Sequence, residues 1–533
     1  MEKVYLYDTT LRDGAQGEGI SFSDTAKVRF AHLLDEFGVD FIEGGFAGSN
    51  PRDRRFFDDI RKEQLSHARI VAFGSTRRVD LDAQGDPQLA GLLAAETEWV
   101  TIYGKSWLMH VRDVLRTTGE NNLQMIADTV GFLRAAGRSV FFDAEHFFDG
   151  YKDDPEYALD TLRAAVREGA AGAVLCDTNG GCLPHEVFAI TQAVCAALPD
   201  AQVGIHVHND GGLAVACSLE AVRAGARQVQ GCINGYGERT GNANMTTIIP
   251  ALELKMGFEC VGAERLRRLR EVSLVTDDLA NQRPDPRQPY TGRSAFSHKA
   301  GAHVNAIQKN TRTFEHIAPE AVGNQRHVLV SELSGASNVM MKAAELGTDF
   351  SGLDKERARA ILDEVKRREE QGYSYESADG SFKILLQKVL NQHHPFFELE
   401  GFRVIVEKRG NEEPCLSEAT VKIKVGGVTG LTAGEGQGPV DALNAALRQA
   451  LTRFYPEIEQ IALTDYRVRI LDPEEATRAV TRVLIESGDG TRQWSTVGVS
   501  ENIIEASWQA LLDSIEHKLF ETRAAAQPRS ARI

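Results

Sequence analysis

The chain has 533 residues, and 76 acidic against 60 basic side chains give it a formal charge of −16. One hydrophobic core stops growing at about 250 to 300 residues, so we expect two or three domains. The negative charge disfavours nucleic acid as a partner and suits a protein that binds small ligands. No apolar run reaches the roughly 18 residues that span a bilayer, so no membrane contact is expected and we predict a cytoplasmic protein.

Alternating strand and helix patterns fill the first half of the chain. The segment after Ser23 and Asp24, either of which can cap a helix, keeps helical periodicity up to Gly38, and Pro155 opens another helix. The eight short β-rich runs are residues 4–7, 41–45, 70–73, 99–103, 139–143, 173–176, 203–207 and 228–233. Eight βα units in about 250 residues predict an α/β fold of the TIM (β/α)8 barrel type.

We place the barrel at residues 1–265. The composition of the chain changes after residue 265 and again after residue 395. Residues 266–395 are polar, charged and helical, with a turn-rich hinge at NQRPDPRQPYTG, and predict a helical connector. Residues 396–533 contain two segments with the plan strand, turn, strand, helix, and ESGDGTR is typical of a hairpin turn. We predict a C-terminal α+β regulatory domain of tandem βββα units, with a cleft for a small effector and for subunit contact.

Polar side chains follow several of the predicted barrel strands. In TIM barrels the active site lies at the carboxyl ends of the strands, so these residues are expected to meet at one mouth. They are Arg12 and Asp13 after strand one, Glu43 after strand two, Asp143 and Glu145 after strand five, Asp177 and Thr178 after strand six, and His206 and His208 within strand seven.

The sequence HVHND places His206 and His208 two residues apart on a strand, so both rings face the same side. Strand one follows strand eight around a closed barrel, which brings Asp13 near them. Two imidazoles and a carboxylate suit a borderline divalent ion such as zinc, manganese or cobalt. The alternative is a hydrogen-bonded histidine pair in a packed strand. Arg12 can hold a carboxylate or a developing oxyanion, or it can form a surface ion pair.

Two further segments contain candidate residues. The glycine-rich sequence NGYGERTGNAN allows tight turns that bring Glu238 and Asn242 back over the mouth, although an ordinary loop explains it too. His303 lies in FSHKAGAHVNAI of the connector, where a lone histidine is more often structural than catalytic.

Taken together, the motifs resemble a known family. DTTLRDG, HVHND, GERTGNAN and FSHKAGAHVNAI, in this order, resemble the isopropylmalate, homocitrate and citramalate synthases, and GEGQGPVDAL resembles their paired regulatory domain. Related lyases and carboxyltransferases share the barrel motifs alone. The segments IEGGFAGSNPRD, FDAEHFFDGY and VSENIIEASW are most similar to the citramalate-forming branch.

The resemblance implies a role for each candidate. A divalent metal, which is Mn, Mg, Zn or Co, would be bound by Asp13, His206, His208 and Asn242. Arg12 and Glu145 would polarise and orient the reacting groups. Thr178 would hold the keto-acid carboxylate, and Glu43 would line the same pocket. His303 would help to deprotonate acetyl-CoA, reaching the barrel of the other subunit in a homodimer. The family often has a tyrosine where this chain has Phe314, so a hydroxyl relay there is not implied.

The reaction implied by the resemblance is an acyl transfer. Acetyl-CoA, pyruvate and water would give citramalate and CoA in isoleucine biosynthesis, with isoleucine, or alternatively leucine, acting on the tail. A larger keto acid would give isopropylmalate or homocitrate instead, unless large side chains such as Tyr103, Phe142 and Phe46 exclude it. The same barrel is also compatible with a carbon–carbon lyase and with a non-catalytic effector-binding protein.

Overall fold

The computed structural model describes residues 1–47, 50–331, 334–346, 353–412, 414–471 and 479–526. The chain divides into two compact units. The first comprises Met1–Phe296 and His316–Gln325, and the second comprises Ser297–Glu315 and Arg326–Ile533. Residues 266–395 therefore contribute to both units. The three-domain division at residues 265 and 395 stays a prediction.

The first unit contains a closed barrel of parallel strands, which confirms the predicted TIM barrel. In order around the barrel, the strands are β1 (Tyr5–Asp8), β2 (Phe41–Phe46), β3 (Arg69–Ser75), β4 (Trp99–Lys105), β5 (Ser139–Glu145), β6 (Gly172–Asp177), β7 (Val203–Val207) and β8 (Gln228–Gly231). Strand β8 pairs with β1, with Leu6 opposite Val229, and this pairing closes the ring.

Helices connect the strands and continue past the barrel. They are α1 (Asp24–Phe37), α2 (Pro51–Ile60), α3 (Pro87–Ala94), α4 (Leu108–His110), α5 (Gly119–Ala135), α6 (Phe147–Asp153), α7 (Pro155–Arg167), α8 (Pro184–Ala197), α9 (Ala214–Ala224), α10 (Met245–Ala251), α11 (Ala263–Leu266) and α12 (Leu269–Leu279). The Ser23 side chain caps α1 by accepting from Ala26 N, and Gly38 ends it at φ 98°. Pro155 begins α7, as predicted.

Side chains alternate between the inside and the outside of the barrel. Tyr7, Phe41, Val71 and Phe141 are buried together inside, below the carboxyl ends of the strands. On β5, Phe142 instead belongs to the layer between the barrel and its helices, because neighbouring residues of a strand face opposite sides. The side chains packed inside the barrel fill its interior, so a ligand cannot enter between the strands and the mouth is where polar side chains of several strands meet.

The second unit combines the remaining helices with three small sheets. Its helices are α13 (Gly301–Lys309), α14 (Ala336–Glu345), α15 (Lys355–Glu370), α16 (Asp379–Val389), α17 (Pro439–Thr452) and α18 (Ile503–Ala526). Two-residue strands β9 (Ser297–His298) and β10 (His327–Val328) pair in parallel, a feature that composition did not indicate.

The tandem βββα plan of the tail is present. Strands β11 (Glu398–Glu407), β12 (Leu416–Val425) and β13 (Val428–Gly436) precede α17, and β14 (Ala462–Ile470), β15 (Thr481–Gly488) and β16 (Gln493–Ser500) precede α18. Each triplet is antiparallel, and the predicted hairpin joins β15 to β16. Val421 and Leu447 of the first repeat share one core with Ile485 and Leu511 of the second. Within the described part of the chain, no helix combines the length and apolar character that crossing a bilayer requires.

Candidate active site at the barrel mouth

Asp13, His206 and His208 form a compact group at the carboxyl ends of β1 and β7. Asp13 Oδ2 lies 3.4 Å from His206 Nε2 and 3.7 Å from His208 Nε2, and the two Nε2 atoms are 3.3 Å apart. One ligand atom from each residue falls within 4.8 Å of the others, and all three residues are buried. Two imidazole nitrogens and a carboxylate oxygen at this separation could hold a divalent ion.

Arg12 is fixed against this group by two carboxylates. Its Nη1 donates to Asp13 Oδ2 at 3.2 Å, and its Nε donates to Glu43 Oε2 at 2.9 Å. The guanidinium also lies over the Phe73 ring, 3.8 Å from the centroid. Burial raises the pKa of Asp13, but the charge of Arg12 and the His206 contact outweigh it and hold that pKa well below its ordinary value. Asp13 is therefore ionised beside a permanent cation.

Glu43 supports Arg12 from inside the barrel. It is fully buried, and Tyr7 Oη donates to its other oxygen at 3.2 Å. Burial raises the pKa of Glu43, against the opposing influence of Arg12. The sequence predicted that Glu43 lines the substrate pocket; its side chain instead lies behind Arg12 and fixes the direction in which that arginine points.

A glutamine on β8 orients His206. His206 Nδ1 lies 3.0 Å from Gln230 Oε1, and Gln230 Nε2 donates to Asp143 Oδ1 at 3.1 Å. The Nε2 of His206 faces the Asp13 carboxylate. Burial lowers the pKa of His206, but the hydrogen bond to Asp13 and the charge of Asp13 outweigh burial and raise that pKa above its ordinary value. Burial raises the pKa of Asp143 to about 7.

His208 and Asn242 complete the group on the other side. Burial and the neighbouring His206 lower the pKa of His208 to about 3, so this ring is neutral. Asn242 pairs with His208 across a single β-bridge, and its Nδ2 donates to Tyr236 O at 3.3 Å. Asn242 Oδ1 is buried and has no hydrogen-bond partner among the residues that the structure describes. A buried, unpaired carbonyl oxygen beside a ligand-like group is what a further metal ligand requires.

Glu145 is the last residue of β5, and Thr178 directly follows the neighbouring strand β6. Glu145 forms an ion pair with Lys105. Thr178 Oγ1 accepts from the His146 backbone N–H at 2.9 Å, and His146 has a left-handed backbone with φ 56°. Since the Thr178 oxygen is used as an acceptor, its hydroxyl hydrogen is available to a ligand.

These side chains surround one cavity of about 210 Å³. Its lining residues are Arg12, Asp13, Gln16, Phe46, Phe73, Tyr103, Asp143, Glu145, Cys176, Thr178, His206, His208, Glu238 and Arg239. One wall is aromatic: the Phe73 ring lies 5.1 Å from Phe46 and 5.5 Å from Tyr103. Tyr103 and Phe46 thus face the pocket, whereas Phe142, the third residue proposed to limit its size, faces the helices.

His303 belongs to the second unit, on α13. Its ring stacks on Phe314 with centroids 4.0 Å apart, and both side chains are exposed. The position where the family often has tyrosine is thus in direct contact with the histidine. The catalytic role of His303 stays a prediction.

Sequence reasoning missed Gln230, Lys105 and Phe73. The register could have indicated two of them, because Gln230 pairs with His206 and Lys105 pairs with Glu145 on adjacent strands. Residues in register on parallel strands face the same side of the sheet. No motif signal marks Phe73.

The fold and this cluster define a TIM-barrel protein with a candidate metal centre at its mouth. Family models agree with that class along the chain. Residues 3–273 match the HMGL-like family, residues 290–373 match the homocitrate synthase post-HMGL domain-like family, and residues 376–519 match the LeuA allosteric (dimerisation) domain.

Similar proteins narrow the class further. An (R)-citramalate synthase of Geobacter sulfurreducens is 52% identical over 98% of this chain and 98% of its own length. That of Aquifex aeolicus is 51% identical with the same coverage, and that of Synechocystis is 50% identical over 97% of this chain and 96% of its own. The chain belongs to the HMGL-like family and, within it, to the (R)-citramalate synthases. The resemblance inferred from the motifs is thereby confirmed, and the chain is an acyl-transferring enzyme.

Proposed function

We propose that this enzyme condenses acetyl-CoA with pyruvate and water to release (R)-citramalate and CoA. One observation supports the proposal above others: Arg12 lies against Asp13 and the histidine pair at the barrel mouth, in a chain that matches (R)-citramalate synthases over nearly its full length. This arrangement suits a small keto acid that presents a carboxylate and a carbonyl oxygen.

We assign the metal to Asp13, His206, His208 and Asn242. A divalent ion held there would polarise the keto-acid carbonyl and stabilise negative charge on its oxygen. Two imidazole nitrogens favour zinc, manganese or cobalt over magnesium, which prefers oxygen ligands. The test is metal content: Asp13→Ala should purify with little bound metal, whereas Asp58→Ala, at a position whose side chain is 62% exposed, should retain it. Equal metal content in the two variants would contradict the assignment.

The chain's own residues orient the reactants. The guanidinium donors of Arg12 that Asp13 and Glu43 leave unused can bind the carbonyl oxygen of pyruvate as it gains charge. The Thr178 hydroxyl donates to the pyruvate carboxylate, and Glu145, held by Lys105, orients the reacting groups. We assign removal of the acetyl-CoA methyl proton to a base assisted by His303 from a neighbouring subunit. The carbanion formed on the acetyl group adds to the keto carbon of pyruvate, and the keto oxygen, which becomes an alkoxide, takes up a proton. Water then cleaves the thioester of this citramalyl-CoA and releases citramalate and CoA.

The aromatic wall supports pyruvate as the acceptor. Phe46, Phe73 and Tyr103 occupy the side of the cavity opposite the histidines along β2 to β4, where a branched side chain needs room. The test is CoA release from acetyl-CoA with pyruvate, 2-oxobutanoate, 2-oxoisovalerate and 2-oxoglutarate in turn. We expect the highest kcat/KM with pyruvate, and faster turnover with 2-oxoisovalerate would refute the assignment.

We also propose that the tail makes a homodimer and binds isoleucine as a feedback inhibitor. The LeuA-type match supports this role, and so do exposed apolar side chains on β11, β13 and β14, including Val406, Leu431 and Ile470. Exposed apolar strand faces are typical of subunit contact surfaces. Isoleucine should lower the rate of CoA release at concentrations at which leucine does not. If leucine inhibits more strongly than isoleucine, leucine is the effector. If neither amino acid inhibits, this form of regulation is excluded.

A further inference from the structure

His146 is the single residue that joins strand β5 to helix α6. Strand β5 ends at Glu145 and α6 begins at Phe147, so the chain must change direction within one residue. His146 makes this turn with a left-handed backbone, at φ 56° and ψ 34°. Steric contact with the Cβ atom disfavours this conformation, and it persists only where the surrounding structure holds it. A turn of this kind at the rim of a candidate active site calls for a functional explanation.

The helix that follows the turn is anchored on two sides. Phe147 and Phe148 are fully buried in the layer between the barrel and its helices. At Gly150, a Cβ atom would collide with Ser106 O, so the backbone of α6 lies directly against the loop after β4. Gly150 N also donates to His146 O at 2.9 Å. Because α6 cannot move to relieve the turn, the backbone of His146 has to supply it.

The imidazole of His146 is also held in place. It is buried, and its ring centroid lies 4.2 Å from that of His110, which stacks on Trp107 with centroids 5.4 Å apart. His146 Nδ1 lies 3.5 Å from Asp149 Oδ2. These contacts fix the ring and support the orientation of the backbone that carries it.

The left-handed turn directs the His146 backbone N–H at Thr178. This N–H donates to Thr178 Oγ1 at 2.9 Å. A threonine side chain has three staggered positions about χ1, and the donor favours the one that places the hydroxyl, rather than the methyl group, beside it. Because Thr178 lines the cavity at the barrel mouth, its O–H is offered to a ligand from a fixed position.

Two further contacts hold the backbone around Thr178. Asn179 Nδ2 donates to Asp149 Oδ2 at 2.8 Å, which ties this segment to α6. Arg239 Nη2 donates to Thr178 O at 2.8 Å, which ties it to the loop after β8. With the backbone fixed, the rotamer of the Thr178 side chain is the freedom that remains, and the His146 N–H restricts it.

We propose that His146 is a positioning residue for the keto acid, because its left-handed backbone directs the N–H that sets the rotamer of Thr178. The inference rests on the proposed function, in which the Thr178 hydroxyl donates to the carboxylate of the keto acid. The contact with Thr178 involves the backbone of His146 and not its ring. A residue that adopts the same backbone conformation should therefore replace His146, and a residue that resists this conformation should not.

The test compares His146→Gly with His146→Val in the full enzyme, by release of the free CoA thiol. Glycine adopts the left-handed conformation without strain, whereas the β-branched side chain of valine opposes it. His146→Val should raise the KM for the keto acid about tenfold, as expected when a hydrogen bond to a charged group is lost. The kcat at saturating keto acid and the KM for acetyl-CoA should stay unchanged. His146→Gly should keep the wild-type KM.

Arg116→Val is the matched control for backbone strain. Arg116 is exposed in the loop before α5, at a position that does not line the cavity, and has a left-handed backbone at φ 55°. Arg116→Val should lower the thermal midpoint and leave both KM values unchanged. The double variant His146→Val/Thr178→Val should have the KM of Thr178→Val alone, because His146 acts through the Thr178 hydroxyl.

Three results would overturn the proposal: a wild-type KM in His146→Val, an equal rise of KM in His146→Gly, or the same fold-change from His146→Val with and without Thr178→Val. Circular dichroism checks the folding of each variant. If His146→Val fails to fold, His146→Ala, whose smaller side chain opposes the turn less, decides by the same comparison with His146→Gly. All measurements use the keto acid of the panel that is turned over fastest. Failure of pyruvate as the acceptor would thus refute the proposed function and leave this test in force.

Discussion

Replacing Arg12 with glutamine tests whether its guanidinium stabilises charge that develops on the keto acid. The Arg12 side chain is 10% exposed, so its charge acts in a largely water-free site. Removing one preorganised donor of this kind costs about 2.7 to 4 kcal/mol, or about 10²–10³ in kcat. We expect a loss of at least about hundredfold in kcat/KM, measured as release of the free CoA thiol at saturating metal. Arg239→Gln is the control, because Arg239 lines the same cavity but is 41% exposed in an ion pair with Asp210.

The same substitution leaves Glu43 buried without its cation, so a loss of folding stability must be separated from a loss of catalysis. The double variant Arg12→Gln/Glu43→Gln removes the unpaired charge. We expect it to regain most of the thermal midpoint that Arg12→Gln loses, while activity stays low. Recovery of activity in the double variant would refute the reasoning, as would a single variant that stays within tenfold of wild type.

Three further predictions concern other parts of the chain. Thr178→Val should raise the KM for pyruvate about tenfold or more without loss of the fold, because it removes the hydroxyl that we expect to donate to the pyruvate carboxylate. An unchanged KM would exclude this hydrogen bond between Thr178 and pyruvate. Asp143 has a pKa of about 7 against an ordinary 3.8, so its neutral form favours the folded state and stability falls as pH rises between these values. With a chelator present, the thermal midpoint of wild type should therefore fall from pH 5 to pH 8 more than that of Asp143→Asn, and parallel curves would contradict this. Leu431→Asp should yield monomers in sedimentation velocity, whereas Val114→Asp, at a position of similar exposure in the first unit, should not. A Leu431→Asp variant that stays dimeric would show that the dimer interface does not include this side chain.

Much of the fold could be predicted because it depends on local patterns. Each barrel strand is short and apolar, and α1 has its own start and stop signals in Ser23 and Gly38. The count of eight units then selects a closed barrel. The two-residue strands β9 and β10 escaped prediction because they pair across 28 intervening residues (299–326) and carry no periodicity of their own.

The site was predictable where residues follow a strand end and not where contact depends on side-chain direction. Asp13, His206 and His208 could be grouped because a ring places β1 next to β8 and near β7. Glu43 could not be placed, since whether its carboxylate faces the pocket or the back of Arg12 depends on one rotamer. The prediction that Phe142 limits the pocket was wrong. Alternation along β5 could have shown this, because Phe141 and Asp143 face the inside of the barrel and Phe142 between them must face outward.

The charge balance of the mouth connects the metal with the acceptor. Arg12 contributes one positive charge, against the carboxylates of Asp13 and Glu43 that both accept from it. Lys105 and Glu145 balance each other, and His208 is neutral. When both carboxylates are ionised, Arg12, Asp13 and Glu43 together carry one net negative charge, and Asp143 and His206 add one carboxyl group and one imidazole to the same cavity. A divalent ion changes the charge of the first three groups to one positive charge. A keto acid with a single carboxylate then restores neutrality, and an acceptor with a second carboxylate, such as 2-oxoglutarate, leaves an unbalanced charge in a site with little water. Charge as well as the aromatic wall therefore favours a small monocarboxylate at this barrel mouth.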